Sequence, residues 1–302
     1  MVYHVDKWFE IALLFIVVFI GLIVKKLFGS WKIFSRSIDL FSKTLYYVFF
    51  PVIFYNTFAA RGVSIADLSI TCIALSYVVF SVILLKLSFS RTNNVRLANA
   101  FIITAVFQNN VFLGFPILLT LYGSVEYASM YSLVMLILHI LTANLLAAKR
   151  EQLLKSIISI PVLYGFILGN ITHYLFIEIY DFTSVINNYV SIILTYGAAF
   201  VLGYSLPLQI RELNKWLKPL FFLGLYRFVI SPLLHMVLLN VFVIPVNGFY
   251  QLIVEALMPP ALMNTVISRI YNWDYEFVSI STLITTFISI PLVFSLYFLG
   301  II

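Results

Sequence analysis

Charge is what this chain has least of. Asp, Glu, Lys and Arg make up 10% of its 302 residues, against about 25% in soluble globular domains. No long stretch is polar enough for a soluble domain, which excludes a soluble enzyme or a DNA-binding module. Cysteine is almost absent: Cys72 stands alone, so no internal disulfide forms and a secreted disulfide scaffold is excluded. The four histidines fall in no metal-ligand spacing, and no phosphate-cradling loop, nucleophile–base set or acidic catalytic pair appears. Neither a cofactor nor enzymatic activity is expected. What fills the chain is apolar: 63% of it, with a mean hydropathy of +1.06. That suffices for about nine or ten spans at the ~20 residues a bilayer requires.

A window of ~19 residues resolves the chain into ten apolar segments: Ile11–Phe28, Leu40–Ala60, Asp67–Phe89, Val95–Tyr122, Tyr127–Ala148, Ile157–Phe176, Val185–Leu208, Leu217–Val243, Gly248–Tyr271 and Phe277–Leu299. They lack the period-2 alternation of barrel strands, so the expected fold class is all-α integral membrane. No small-residue cleavage site follows the first run, which reads as a retained span. The basic residues then set orientation. Lys25, Lys26, Lys32, Arg36, Lys86, Arg91, Arg96, Lys149, Arg150, Lys155, Arg211, Lys215, Lys218 and Arg269 all fall on one side, against Lys7 and Arg61 on the other. By the positive-inside rule both termini lie outside the cytoplasm of a multi-pass cell-membrane protein. The formal charge of +6 and pI near 9.2 therefore report topology, not nucleic-acid binding.

Ten spans with both ends on one side divide into residues 1–150 and 151–302, five helices each. Because five is odd, the second half enters from the opposite face, giving the inverted repeat common among secondary transporters. One unusual feature recurs at a constant offset. Residues 107–116 read Phe-Gln-Asn-Asn-Val-Phe-Leu-Gly-Phe-Pro, and 148 positions on, residues 255–264 read Glu-Ala-Leu-Met-Pro-Pro-Ala-Leu-Met-Asn. Both put proline and polar side chains inside a long apolar run. Proline breaks the helix ladder, and at membrane depth such a break survives only in protein or beside a watery cavity. Matched breaks are the best sequence pointer to a transport site, and their freed helix ends offer N–H groups to an anion. Pro51, Pro161, Pro207, Pro232 and Pro291 read as simple kinks.

At these breaks the sequence resembles the auxin efflux carrier family, which includes the plant PIN exporters. Gln108-Asn109-Asn110-Val111-Phe112-Leu113-Gly114-Phe115-Pro116 is similar to that family's polar-Asn, Gly, Leu-Gly-Leu-Pro pattern, with Asn110 where Gly is usual. Ala256-Leu257-Met258-Pro259-Pro260-Ala261 and Ser268-Arg269-Ile270-Tyr271 resemble its ninth helix; Pro161–Gly169 and Arg227–Pro232 match weaker signatures. The resemblance implies the fold shared with bile acid/sodium symporters: a scaffold of helices 1, 2, 6 and 7, a transport core of 3–5 and 8–10, crossed broken helices 4 and 9, elevator motion and a homodimer. The long hydrophilic loop of the plant exporters is absent, since the fifth connection runs only from Lys149 to Ser156.

Single residues sharpen the expectation. Glu255, roughly 10 Å into its span at ~1.5 Å per residue, is an intramembrane carboxylate and so a functional candidate. It suits a proton or Na⁺, or alternatively a structural pairing with Arg227. Arg227, also deep, suits an organic anion, a pairing with Glu255, or exposed carbonyls at a break. Gln108, Asn109, Asn110 and Asn264, with Gly114, Pro116, Pro259 and Pro260, form the candidate substrate and crossing site. Asn56, His139 and Asn144 are weaker candidates, His235 reads as structural, and Lys43 as a snorkelling residue. The expected function is a secondary transporter for a small organic anion, an auxin-like weak acid or a mono- or dicarboxylate. The alternative is a Na⁺-coupled symporter or cation/proton antiporter on the same fold; a channel or intramembrane enzyme fits less well. The expected partners are the anion, H⁺ or Na⁺, the lipid bilayer and a second copy of the chain.

Overall fold

A computed structural model describes residues 2–149, 153–175, 180–208 and 213–302. Arg150, Arg211, Phe176 and the expected boundary between the two halves lie outside them. The described residues are helical, and their single β-type pairing is an isolated bridge between Gln108 and Pro260. The helices are α1 (Val2–Phe28), α2 (Lys32–Thr44), α3 (Phe50–Arg61), α4 (Ile65–Ser88), α5 (Val95–Val106), α6 (Phe115–Tyr122), α7 (Glu126–Leu146), α8 (Leu153–Ile158), α9 (Pro161–Tyr174) and α10 (Tyr180–Ser205). There follow α11 (Leu213–Leu225), α12 (Ser231–Val241), α13 (Val246–Ala256), α14 (Leu262–Ile270) and α15 (Tyr275–Phe298).

Six of the resulting rods are long and apolar enough to cross a membrane: Phe9–Phe28, Lys32–Arg61, Ile65–Ser88, Glu126–Leu146, Leu213–Val241 and Tyr275–Phe298. Their outer faces carry exposed Ile16, Ile23, Val79, Ile83, Phe221 and Val237, a surface that water disfavours and lipid accepts. The chain is thus an all-helical protein compatible with integral membrane residence. The fourth and ninth apolar segments are different. They split into α5 and α6, of 12 and 8 residues, and into α13 and α14, of 11 and 9. At ~1.5 Å per residue no one of these pieces covers a ~30 Å hydrocarbon core.

Proline shapes the rods in two ways. π-Turns at Leu45–Phe49, Asn110–Gly114 and Tyr226–Ile230 run straight into helices whose second residue is Pro51, Pro116 or Pro232. In each, an N–H reaches the carbonyl five residues back, Phe50 to Leu45, Phe115 to Asn110 and Ser231 to Tyr226. The widened turn absorbs the ring that would clash with an ordinary helical turn. Pro161 opens α9, Pro207 follows the end of α10, and Pro291 lies inside α15.

Glycine governs two of the closest packings. α1 lies along α10 and α3 along α9. Gly203 sits on the Val18 carbonyl and Gly21 on that of Phe200; Gly165 and Gly169 sit on the carbonyls of Pro51 and Tyr55. Any β-carbon at these positions would collide with main chain. Small residues let membrane helices approach to backbone contact, and these pairs use that contact along their length.

Candidate functional site

The two broken segments meet. Asn109 N–H donates to the Pro259 carbonyl at 2.7 Å, and Ala261 N–H to the Phe107 carbonyl at 3.0 Å. This two-bond antiparallel contact explains how the diproline is tolerated. The pairing asks Pro259 only for its carbonyl and takes its donor from Ala261, so neither missing proline N–H is needed.

Breaking two helices also frees carbonyls at the ends of α5 and α13, and side chains from neighbouring helices satisfy them. Arg227, fully buried, donates from Nη1 to the Ala105 carbonyl at 3.2 Å and from Nη2 to the Ala256 carbonyl at 3.4 Å. One guanidinium thus joins the negative ends of both half-helices, where a cation is favoured. Tyr77 donates to the Val106 carbonyl at 3.3 Å, Asn264 to that of Phe107 at 3.1 Å and Ser289 to that of Leu257 at 2.6 Å. Arg227 thus contacts the carbonyls at the breaks; it forms no ion pair with Glu255 and is not among the residues that line the cavity described next.

Glu255 is fully buried at the end of α13, and neither of its carboxylate oxygens has a hydrogen-bond partner among the described residues. The carboxylate lies directly on the Cα of Gly114, in space that a β-carbon there would occupy. Gly114 is thus needed for close approach, as the last residue of the π-turn preceding Pro116.

On another side of the crossing opens a cavity of about 610 Å³. Gln108, Asn109 and Asn110 form part of its floor, together with Ser132 and His139 of α7. All five are buried, and among the described residues each keeps a polar atom with no hydrogen-bond partner: Gln108 Nε2 and Oε1, Asn109 Nδ2, Asn110 Oδ1, Ser132 Oγ and His139 Nε2. The His139 ring stacks on Phe107 at 4.4 Å. Apolar walls come in part from Phe112, Met135, Leu136, Met263 and Val266, and three cations, Lys25, Lys43 and Arg269, also belong to the described lining. Among the described residues no carboxylate lines it. Neutral donors and acceptors on the floor, with only positive charge among the described lining residues, favour an anion carrying apolar bulk.

The other sequence candidates divide. Pro116, Pro259 and Pro260 are buried at the breaks, and Asn264 is held by its bond to Phe107. Asn56 donates to Asn187 at 3.3 Å, tying α3 to α10, while Asn144 accepts from Tyr271 at 3.0 Å and bonds the Ile140 carbonyl; both lock helices together. His235 is buried against Tyr131, with Nε2 2.6 Å from its hydroxyl. Lys43 lines the cavity as well as lying near a helix end. Sequence reasoning missed Ser132, Lys25, Tyr46 and Arg269 as cavity residues. A signal existed for one face: Ser132, Met135, Leu136 and His139 recur at the i, i+3, i+4, i+7 spacing of a helical stripe.

The fold and site together define an all-helical protein with membrane-length rods and a polar crossing of two broken helices. No protein-family model matches the chain, and no curated protein matches it.

Proposed function

We propose that this protein is a secondary carrier that moves a small organic anion across the cell membrane by alternating access. The observation that carries this reading is the cavity at the meeting of two broken helices, lined among the described residues by three cations, no carboxylate and amides that keep unpartnered atoms. A permanent structural role would leave those amides costing free energy for nothing; a ligand that visits the site supplies their partners as the amides turn toward it. The cavity's volume falls within the ~300–1,000 Å³ of small-molecule pockets, and its apolar walls favour an aromatic or branched carboxylate over a short dicarboxylate.

On this reading the chain has ten spans in two inverted halves, 1–150 and 151–302, and the residue likeness to the auxin efflux carriers at both breaks supports it. Spans 1, 2, 6 and 7 form a scaffold in a homodimer, spans 3–5 and 8–10 a moving core, and both termini lie outside the cytoplasm. The backbone contacts of α1 with α10 and of α3 with α9 suit a rigid scaffold. Glu255 couples transport to H⁺ or Na⁺, since its carboxylate has no partner among the described residues to neutralise it. The second reading, a Na⁺-coupled symporter or cation/proton antiporter, draws on that same unpartnered carboxylate.

Purified protein in liposomes tests the proposal. Saturable counterflow of an aromatic carboxylate such as indole-3-acetate, driven by substrate, proton or Na⁺ gradients, is the expected result. Absence of flux above protein-free liposomes across a panel of carboxylates would overturn it, as would non-saturating current at channel rates. With Glu255→Gln, substrate flux should lose its dependence on pH or Na⁺; unchanged dependence removes Glu255 from coupling.

A further inference from the structure

Each of two helical rods carries a pair of cations at the same spacing. Lys7 and Lys25 lie on α1, and Lys43 and Arg61 on the continuous rod from Lys32 to Arg61. Each pair is eighteen positions apart, roughly 27 Å along the helix axis at ~1.5 Å per residue. Lys25 and Lys43 line the cavity; Lys7 and Arg61 lie at the opposite end. They are also the two basic residues that the charge count sets apart from the other side.

At that far end both grip one turn, the connection between α6 and α7. The Lys7 ammonium donates to the Thr120 carbonyl on one flank of the turn. Arg61 donates from Nη2 to the Glu126 carbonyl on the other flank at 3.0 Å, with Glu126 Oε1 3.6 Å from its Nε. From behind, Gln251 of α13 holds the same turn, donating to the Ser124 carbonyl at 3.3 Å and accepting from Tyr127 and Ala128 N–H at 3.0 Å each. The turn is therefore fastened to the helix that forms half of the crossing, and joined to α1 and α3 through two cations.

These attachments differ in durability. Arg61 is bidentate to buried Asp67 at 2.6 and 2.8 Å, and Asp67 also accepts from Ser64 N–H and Oγ, so that corner is fixed. The contacts of Arg61 with Glu126 and of Lys7 with Thr120 reach a different chain segment; Lys7 and Glu126 are partly exposed, and Thr120 is buried. Single charge-assisted hydrogen bonds near water break at modest cost.

We propose that Lys7 and Arg61 form a two-point clasp on the turn between α6 and α7, holding this end of the protein shut while the cavity is open at the other. The inference rests on the alternating-access reading and adds to it the contacts that must break for the cavity to face the other side. Removing one contact shifts the balance of the two states by its differential strength and no more.

The experiment uses the full chain with Cys72→Ser and Leu136→Cys, a half-buried position of the cavity wall, so that one thiol reports on the cavity. A charged, membrane-impermeant thiol reagent is applied to either side of oriented vesicles. With Lys7→Met, modification from the clasp side should rise about tenfold and from the cavity side should fall. Arg61→Gln paired with Asp67→Asn, which removes both charges without stranding either, should act in the same direction. Rates unchanged from both sides in both variants overturn the clasp. If carboxylate flux is present but accessibility does not move, the clasp alone fails. If accessibility moves in a protein that transports no carboxylate, the clasp stands and the anion-carrier reading falls.

Discussion

The helix pairs α1–α10 and α3–α9 and the crossing of α5/α6 with α13/α14 solve the same problem in opposite ways. In the pairs, glycine brings main chain onto main chain, and each element is an unbroken helix at the contact. At the crossing, the helices end, two backbone bonds and Arg227 join the pieces, and most of the buried polar atoms that lack partners gather around them. Contact without side chains leaves little freedom for sliding. Unpartnered amides and a lone carboxylate leave free energy to be recovered by whatever binds. The contrast separates the part of the molecule that resists change from the part that can use it.

Substitutions at matched positions test that separation. Gly203→Leu should be the most damaging, because its β-carbon would overlap the Val18 carbonyl and neither helix backbone can yield. Overpacking there should cost at least ~3 kcal/mol, well beyond the ~1 kcal/mol that replacing helical glycine gains. Loss of the monodisperse folded species in size-exclusion chromatography is the readout. Gly224→Leu, facing open space, is the control and should behave as the parent does. Next comes Arg227→Lys. One ammonium cannot reproduce the fork between Ala105 and Ala256, so a buried carbonyl loses its partner at about 2 kcal/mol. A thermal melt in detergent should show a clear drop in Tm with the protein still folded.

Each region left a different trace in the sequence. The breaks were legible because proline and clustered polar residues are rare within long apolar runs, and a 148-residue offset matched them. Arg227 was visibly too deep to be idle, but its partners are main-chain carbonyls, which carry no residue identity to search for. The glycine contacts were illegible for the same reason: Gly21 and Gly203 are 182 positions apart, and what each touches is backbone. The cavity was half legible. Gln108, Asn109 and Asn110 announced themselves at the break, whereas Ser132 is one small hydroxyl in an apolar helix. Lys25 and Arg269 blended into the charge count that set topology.

Gly114→Ala moves the comparison into the crossing, with a smaller expected effect. Its β-carbon meets the tip of Glu255, a side chain able to rotate, and not a backbone. A cost of about 1 kcal/mol follows, with the larger consequence in ion dependence. In a double-mutant cycle the effect of Gly114→Ala should largely vanish when Glu255 is already Ala. If it persists in full, the glycine serves the π-turn and not the carboxylate.

Asn109→Ala should do least to stability, and its sign is the informative part. The Asn109 main chain makes the bond to Pro259, which alanine keeps, while the side-chain Nδ2 has no partner to lose. Removing an unsatisfied buried donor relieves a penalty, so Tm should stay level or rise by the equivalent of up to ~1 kcal/mol. Transport should fall about tenfold, through a higher KM, because the donor is missing when the anion arrives. A matching loss of stability would mean that Asn109 holds the fold as Arg227 does, and the distinction between the two kinds of crossing residue would disappear. A rise in Tm with a loss of transport would show the crossing keeping a costly group for its ligand, which is the property the glycine-packed helices lack.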